Sequence, residues 1–166
     1  MTPLPITLTP HHSLAVVLVE PRIPQNVGNI ARLCACTGAP LYVVGDLGYR
    51  SNEAFITQMH RAGMDYIDDA PPTHVATMGE VWAAFPGWTP WFFTSKTTQS
   101  FWQPTYPPQS LLIFGREDKG LPAAVLEQFP AQCVRIPMQS GQRSLNLSSS
   151  AAVAVYEVLR QWECAQ

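Results

Sequence analysis

"RIPMQSGQRSLNLSSSAAVAVYEVLRQ", residues 135 to 161, crowds glycine, arginine, asparagine and serine just ahead of an apolar run. Within that run Leu147, Ala151, Val155 and Val158 recur at helical spacing, which predicts a buried terminal helix. A loop that merely joins two elements does not need so many polar, conformationally permissive residues. The same character returns in "LIFGREDKGLP" (112–122), with Gly115 where a strand ends and Gly120 before the next helix, and in "FFTSK" (92–96). In an open α/β sheet, ligands bind beyond the carboxyl ends of the strands. A tight turn explains one such glycine, whereas three polar strand ends predict one shared site.

Working outward, "SLAVVLVE" (13–20) is apolar and β-branched and reads as a buried strand. "PRIPQNVGNIARLCACTG" (21–38) follows, its prolines holding an extended link, Asn26 as the expected N-cap and Gly38 as the stop. Asn29 and Arg32 then share one face of that helix. "PLYVVG" predicts a second strand, and "SNEAFITQMHRAG" a helix capped by Ser51 or Asn52 and closed by Gly63. "DYID" reads as a short strand, "GEVWAAF" as a short helix, "WFFTS" and "SLLIFG" as strands. "PAAVLEQF" predicts a helix with proline in its first turn, and "CVRIP" the last strand. Strands alternate with helices, so the expected architecture is α/β, a mostly parallel sheet with helices on both faces. Residues 70–108, rich in proline, tryptophan and threonine, are expected to hold an insertion or surface loop besides the helix of "GEVWAAF" and the strand of "WFFTS". No repeat or linker divides residues 1–166, and one domain is expected.

With 46% hydrophobic and 13% charged residues in a chain of 166, a real core is expected and disorder is not. No apolar run has the length of a membrane span and the start has no basic stretch, which points to the cytoplasm. Cys34, Cys36, Cys133 and Cys164 form no C-x-x-C pair and read as ordinary buried thiols. His11, His12, His60 and His74 stand near no ligand partner in sequence, so no metal is expected. The net charge of −2 does not advertise nucleic acid, yet Arg22, Arg32, Arg116, Lys119 and Arg143 gather at loop signals. Neither G-x-G-x-x-G nor G-x-x-x-x-G-K-[ST] occurs. That argues against a dinucleotide oxidoreductase, a P-loop NTPase and the common Rossmann-type methyltransferase.

"EPRIPQNVGNIARLCACTG", "LIFGREDKGLP" and "RIPMQSGQRSLNLSSSAAVAVYEVLRQ" closely resemble the three motifs of the SPOUT superfamily of methyltransferases. Within it the chain looks most like the TrmL (YibK-type) branch, the tRNA wobble-position 2′-O-methyltransferases. The similarity runs from about Leu14 to Trp162, with "HRAGMDY" as a further point of agreement. The resemblance implies a C-terminal deep trefoil knot, S-adenosylmethionine as cofactor, and the anticodon stem-loop of a tRNA as substrate. It also implies a homodimer whose active site takes residues from both subunits. Methylation of ribosomal RNA or of another tRNA position, and a non-catalytic RNA-binding module with the same fold, are the alternatives.

By the same resemblance the cofactor is expected against Phe93, Gly115, Ile136, Ser144 and Leu145. Phe93 and Ile136 also fit plain strand core. Arg32 matches the functional arginine of the first motif. A guanidinium ionises above about 12 and is not expected to act as a base, so Arg32 is expected to hold an RNA phosphate or the reacting hydroxyl, with Asn29 beside it. Glu117 and Asn146 match polar positions of the second and third motifs. Glu117 is expected to fix loop geometry through backbone N–H groups, and Asn146 to contact RNA or cap the last helix. Arg22, Arg116, Lys119 and Arg143 are candidate phosphate contacts, and Tyr156 belongs either to the dimer seam or to the RNA surface.

The chain also departs from the branch's pattern. Arg116 stands where proline is common, and "NEAFITQMHRAG" is poor in basic residues. In "FWQPTYPP" the aromatics Phe101, Trp102 and Tyr106 serve either packing or stacking on unpaired bases.

Overall fold

A computed structural model describes residues 13–45 and 53–164. Its sheet has six strands: β1 (Leu14–Val19), β2 (Leu41–Val44), β3 (Thr73–Val75), β4 (Thr89–Phe93), β5 (Ser110–Phe114) and β6 (Cys133–Val134). They lie in the order β3-β2-β1-β5-β4-β6, and every pairing is parallel. The helices are α1 (Pro24–Thr37), α2 (Glu53–Gly63), α3 (Tyr66–Asp69), α4 (Met78–Ala84), α5 (Ala123–Gln128) and α6 (Leu147–Cys164).

β1 and β5 are buried at every residue, the continuous apolar run that a strand covered on both faces requires. Alternation splits β1 between two cores. Leu14, Val16 and Leu18 pack with α1, α2 and α6, while Ala15, Val17 and Val19 join a second core with Val81 of α4 and Leu121. Each fully buried aliphatic side chain contributes about 1.5–3 kcal/mol. The predicted seam of α6 is inside, with Leu147, Ala151, Val155 and Val158 all buried.

Several local expectations need correction. "DYID" is helical, because Met64 takes a left-handed φ of 53° and turns the chain from α2 straight into α3. Asn26 is not the cap of α1. Pro24 opens the helix and Ile23 is the N-cap, which puts Asn26 inside the first turn. Gly38 does end α1, with φ 75° and its N–H bonded to Cys34 O at 2.8 Å. The caps proposed for α2, Ser51 and Asn52, lie outside the described residues, as do His11 and His12. "CVRIP" is a strand only at Cys133 and Val134.

Within residues 70–108 the expected helix and strand are α4 and β4, β3 is an addition, and the longest irregular stretch is 94–109. That stretch is pinned to the end of α6: Trp162 Nε1 donates to Tyr106 O at 2.8 Å, Tyr106 N to Gln161 Oε1 at 3.1 Å, and Gln161 Nε2 to Pro104 O at 3.2 Å. Two of the four thiols, Cys36 and Cys164, are exposed, whereas Cys34 and Cys133 are buried.

Candidate active site

The sheet's connections run outward from β1 on one side and β5 on the other, so the crevice above their carboxyl ends is the expected ligand position. A cleft of about 900 Å³ opens there, over the ends of β5, β4 and β6 and between the first turns of α1 and α6. Phe93, Gly115, Arg116, Glu117, Lys119, Ile136, Arg143, Ser144, Leu145 and Asn146 all line it. The three polar strand ends therefore converge.

Phe93 and Phe114 form an apolar wall, with rings stacked at 4.7 Å. Gly115 is required by the loop itself. A Cβ there would run into the backbone of Gly120 and Leu121, because the loop doubles back through paired bonds between Arg116 and Gly120. The same fold-back turns the carboxylate of Glu117 towards the start of α1.

Glu117 Oε2 accepts from Arg22 N at 2.8 Å, and Glu117 Oε1 from Ile23 N at 3.1 Å and from Asn26 Nδ2 at 2.9 Å. An anion at this helix N-terminus meets unpaired backbone donors and the positive end of the dipole. Asn26, only 3% exposed, passes the chain of bonds on: its Oδ1 accepts from Asn146 Nδ2 at 3.0 Å. Asn146 Oδ1 in turn accepts from Ser148 N at 2.9 Å and from Ser149 N at 3.3 Å, capping α6. One polar relay thus ties the three motifs together. Asn26 is the residue that motif reading misses. Pro24 two residues earlier was the available signal, since a proline in the first turn moves the cap back to Ile23.

Arg116 is not a free cation. It grips Asp118 through Nε and an Nη at 2.9 and 2.8 Å, and Glu20 at 3.5 Å, which raises its own pKa and holds the Asp118 carboxyl below its usual range. Lys96, Lys119, Arg135 and Arg143 also line the cleft, and none forms a salt bridge among the described residues. Lys96 and Arg135 have no role in the motif reading, because one closes a strand end and the other was counted inside a strand.

Asn29, Arg32, Arg22 and Tyr156 are not brought into the cleft. Arg32 is exposed on α1, its guanidinium 5.2 Å above the Tyr66 ring and 3.6 Å from Met64 Sδ. Arg22 is exposed and paired with Glu20 at 3.5 Å. Tyr156 and Val153 stand 51% and 42% exposed on the outer face of α6.

The chain belongs to the SpoU rRNA Methylase family, which it matches over residues 13–156. Among its relatives is a tRNA (cytidine(34)-2′-O)-methyltransferase of Burkholderia ambifaria, 44% identical over 149 residues that cover 88% of this chain and 94% of the relative. One of the same description from Yersinia pestis is 39% identical over 154 residues, covering 89% and 93%. A solved structure described as giving insight into 2-OH methylation of C/U34 on tRNA superposes with a TM-score of 0.83 at 34% identity, covering 91% of this chain and 97% of that one.

Proposed function

We propose that this protein transfers a methyl group from S-adenosylmethionine to the ribose 2′-hydroxyl of the wobble nucleotide, cytidine or uridine, of a tRNA. The observation that carries the reading is the convergence of three motif loops, tied by the Glu117–Asn26–Asn146 relay, on one cleft. The relatives named for the same reaction match nearly the whole chain.

The cleft fits the cofactor in chemistry. It offers an apolar wall at Phe93, Phe114 and Ile136, hydroxyl and backbone groups at Ser144 and Leu145, and a volume suited to a nucleoside-sized ligand. Phe93, Gly115, Ile136, Ser144 and Leu145 are the residues assigned to hold it. When bound, S-adenosylmethionine supplies a methyl group on a positively charged sulfur, open to in-line attack by the ribose oxygen. The protein's part is alignment and charge. Glu117 accepts three hydrogen bonds, so its role is to position the loop rather than to remove a proton. Asn146 holds the first turn of α6 against the cleft.

Arg32 lies outside the cleft of its own chain, and we assign it, with Asn29, to the cleft of a second copy, where it holds an RNA phosphate or the reacting hydroxyl. Exposed Val153 and Tyr156 on α6 support such a homodimer. Lys119, Arg143 and Arg22 are assigned to the RNA backbone, whereas Arg116 shapes the loop through its ion pairs. The deep trefoil knot and a cytoplasmic site of action belong to the same reading. Among the described residues no helix is long and apolar enough to cross a membrane.

The test is incubation with methyl-labelled S-adenosylmethionine and unmodified tRNA, with ribosomal RNA in parallel, followed by mapping of the labelled nucleotide. Label on the ribose at the wobble position is expected. Label on a base, or on ribosomal RNA alone, overturns the reading.

A further inference from the structure

The segment "FWQPTYPP" divides its aromatics sharply. Phe101 and Tyr106 are 1% and 2% exposed, while Trp102 is 63% exposed. Phe101 packs edge-on against Phe93, and Tyr106 donates its hydroxyl to Phe101 O at 2.6 Å. Both are core. Among the described residues Trp102 has one ring contact, tilted on Phe101 at 5.4 Å, and most of its large apolar surface stays in water.

The loop that carries it is firmly held. Arg135 N donates to Gln99 O at 2.8 Å and Phe101 N to Arg135 O at 3.0 Å, a short parallel bridge continuing the sheet past β6. Trp102 N donates to Ser100 Oγ at 3.3 Å, Ser100 N to Gln103 Oε1 at 3.0 Å, and Gln103 N to Ser100 O at 3.1 Å. The bridge partner Arg135 lines the cleft, as does Lys96 at the start of the loop. An ordered, exposed indole therefore sits on the loop that starts at Lys96 and bridges to Arg135, two cations that form no salt bridge among the described residues. That pairing of a flat apolar surface with free positive charge suits a single-stranded nucleic acid, which needs one for its bases and the other for its phosphates.

We propose that Trp102 is a stacking platform for an unpaired base of the RNA substrate next to the nucleotide that enters the cleft, with Lys96 and Arg135 on the adjoining phosphates. The proposal rests on the function proposed above and adds to it a residue that selects unpaired over helical RNA. The indole is held ready by the Phe101 and Ser100 contacts, so little ordering is needed when RNA binds.

The experiment compares wild type, Trp102→Phe and Trp102→Ala in binding to an anticodon stem-loop RNA hairpin and to a blunt duplex of the same stem. Methyl transfer to tRNA and S-adenosylmethionine affinity are measured alongside. Expected are hairpin affinity about tenfold weaker in Trp102→Ala, largely restored in Trp102→Phe, and unchanged cofactor affinity and duplex binding. Hairpin binding should also quench the fluorescence of wild type more than that of Trp102→Phe. If wild type methylates tRNA and Trp102→Ala binds the hairpin equally well, the stacking role is overturned and the enzyme reading stands. A change in oligomeric state with hairpin affinity kept would assign Trp102 to contact between copies and overturn it too. If wild type neither binds nor methylates the RNA, both proposals fall.

Discussion

Arg32 is held between an aromatic face and a thioether, the latter supplied by Met64 at the turn from α2 into α3. A cation over a ring gains about 0.5–1 kcal/mol at an exposed site, enough to bias the direction of a long side chain that carries about 2 kcal/mol of rotamer entropy. Arg32→Ala should abolish turnover while leaving S-adenosylmethionine affinity nearly unchanged, because its proposed partner is RNA. A parallel loss of cofactor binding in calorimetry would contradict that assignment. Tyr66→Leu should lower kcat with little change in the KM for cofactor, and Tyr66→Phe should recover most of it, since the ring rather than the hydroxyl faces the guanidinium. The cysteines offer a separate check. Burial pushes the Cys34 thiol up to about 12, from an ordinary value of 9.0, so it remains protonated at pH 8. Only a thiolate alkylates, so iodoacetamide in the native state should label exposed Cys36 and Cys164 and spare Cys34, read by peptide mapping. The contribution of Cys34 is intact below pH 9 and is lost as pH rises towards 12.

At the scale of elements, α1 and α2 are in close contact at a glycine. A Cβ on Gly28 would meet Met59 O and Gly63 N, main-chain atoms of the facing helix that cannot step aside. Gly28→Ala should therefore destabilise by about 2 kcal/mol or more, despite the better helix propensity of alanine, as measured by denaturant midpoint. The relay joining α1, the β5 loop and α6 makes a contrasting prediction. Asn146→Ala removes a helix cap and should cost about 1 kcal/mol. Asn26→Leu removes the hydrogen bonds to Glu117 and Asn146, which typically contribute about 0.5–1.5 kcal/mol each, and should also weaken cofactor binding. Much of this was hidden from local reading. "DYID" (65–68) reads as a short strand because its alternation is too short to exclude one, and the turn at Met64 decided otherwise. β3 escaped notice because three half-exposed residues at a sheet edge carry little pattern.

At the scale of the molecule, the proposed assignment of Arg32 to the cleft of a second copy can be tested by mixing subunits. Mixing an Arg32→Ala subunit with a Gly115→Ala subunit, each inactive alone, should restore about a quarter of wild-type activity. Half the dimers are then mixed, and each has one complete site. No recovery after subunit exchange would put Arg32 and the cleft in one chain and remove the main support for a shared site. Truncation before Ser144 removes both the loop lining the cleft and α6, and should abolish folding as well as activity. A soluble, cooperatively folded fragment would argue against a threaded C-terminus.

From the sequence alone came the alternation of strands and helices, the buried runs of β1 and β5, the seam of α6 and the three polar strand ends. Each is a local pattern set by side-chain periodicity and by the few residues that tolerate a turn. Motif resemblance added the expected chemistry. Only the tertiary structure decided that Asn26 is a relay and not a cap, that Arg116 is spent on Asp118 and Glu20, and that Trp102 alone of its cluster faces water. Apart from Asp118, two residues from Arg116, those outcomes depend on partners 91 to 120 positions away, or on which side of one ring the core closes. No local pattern carries that information, because packing sets it only when the whole chain has folded.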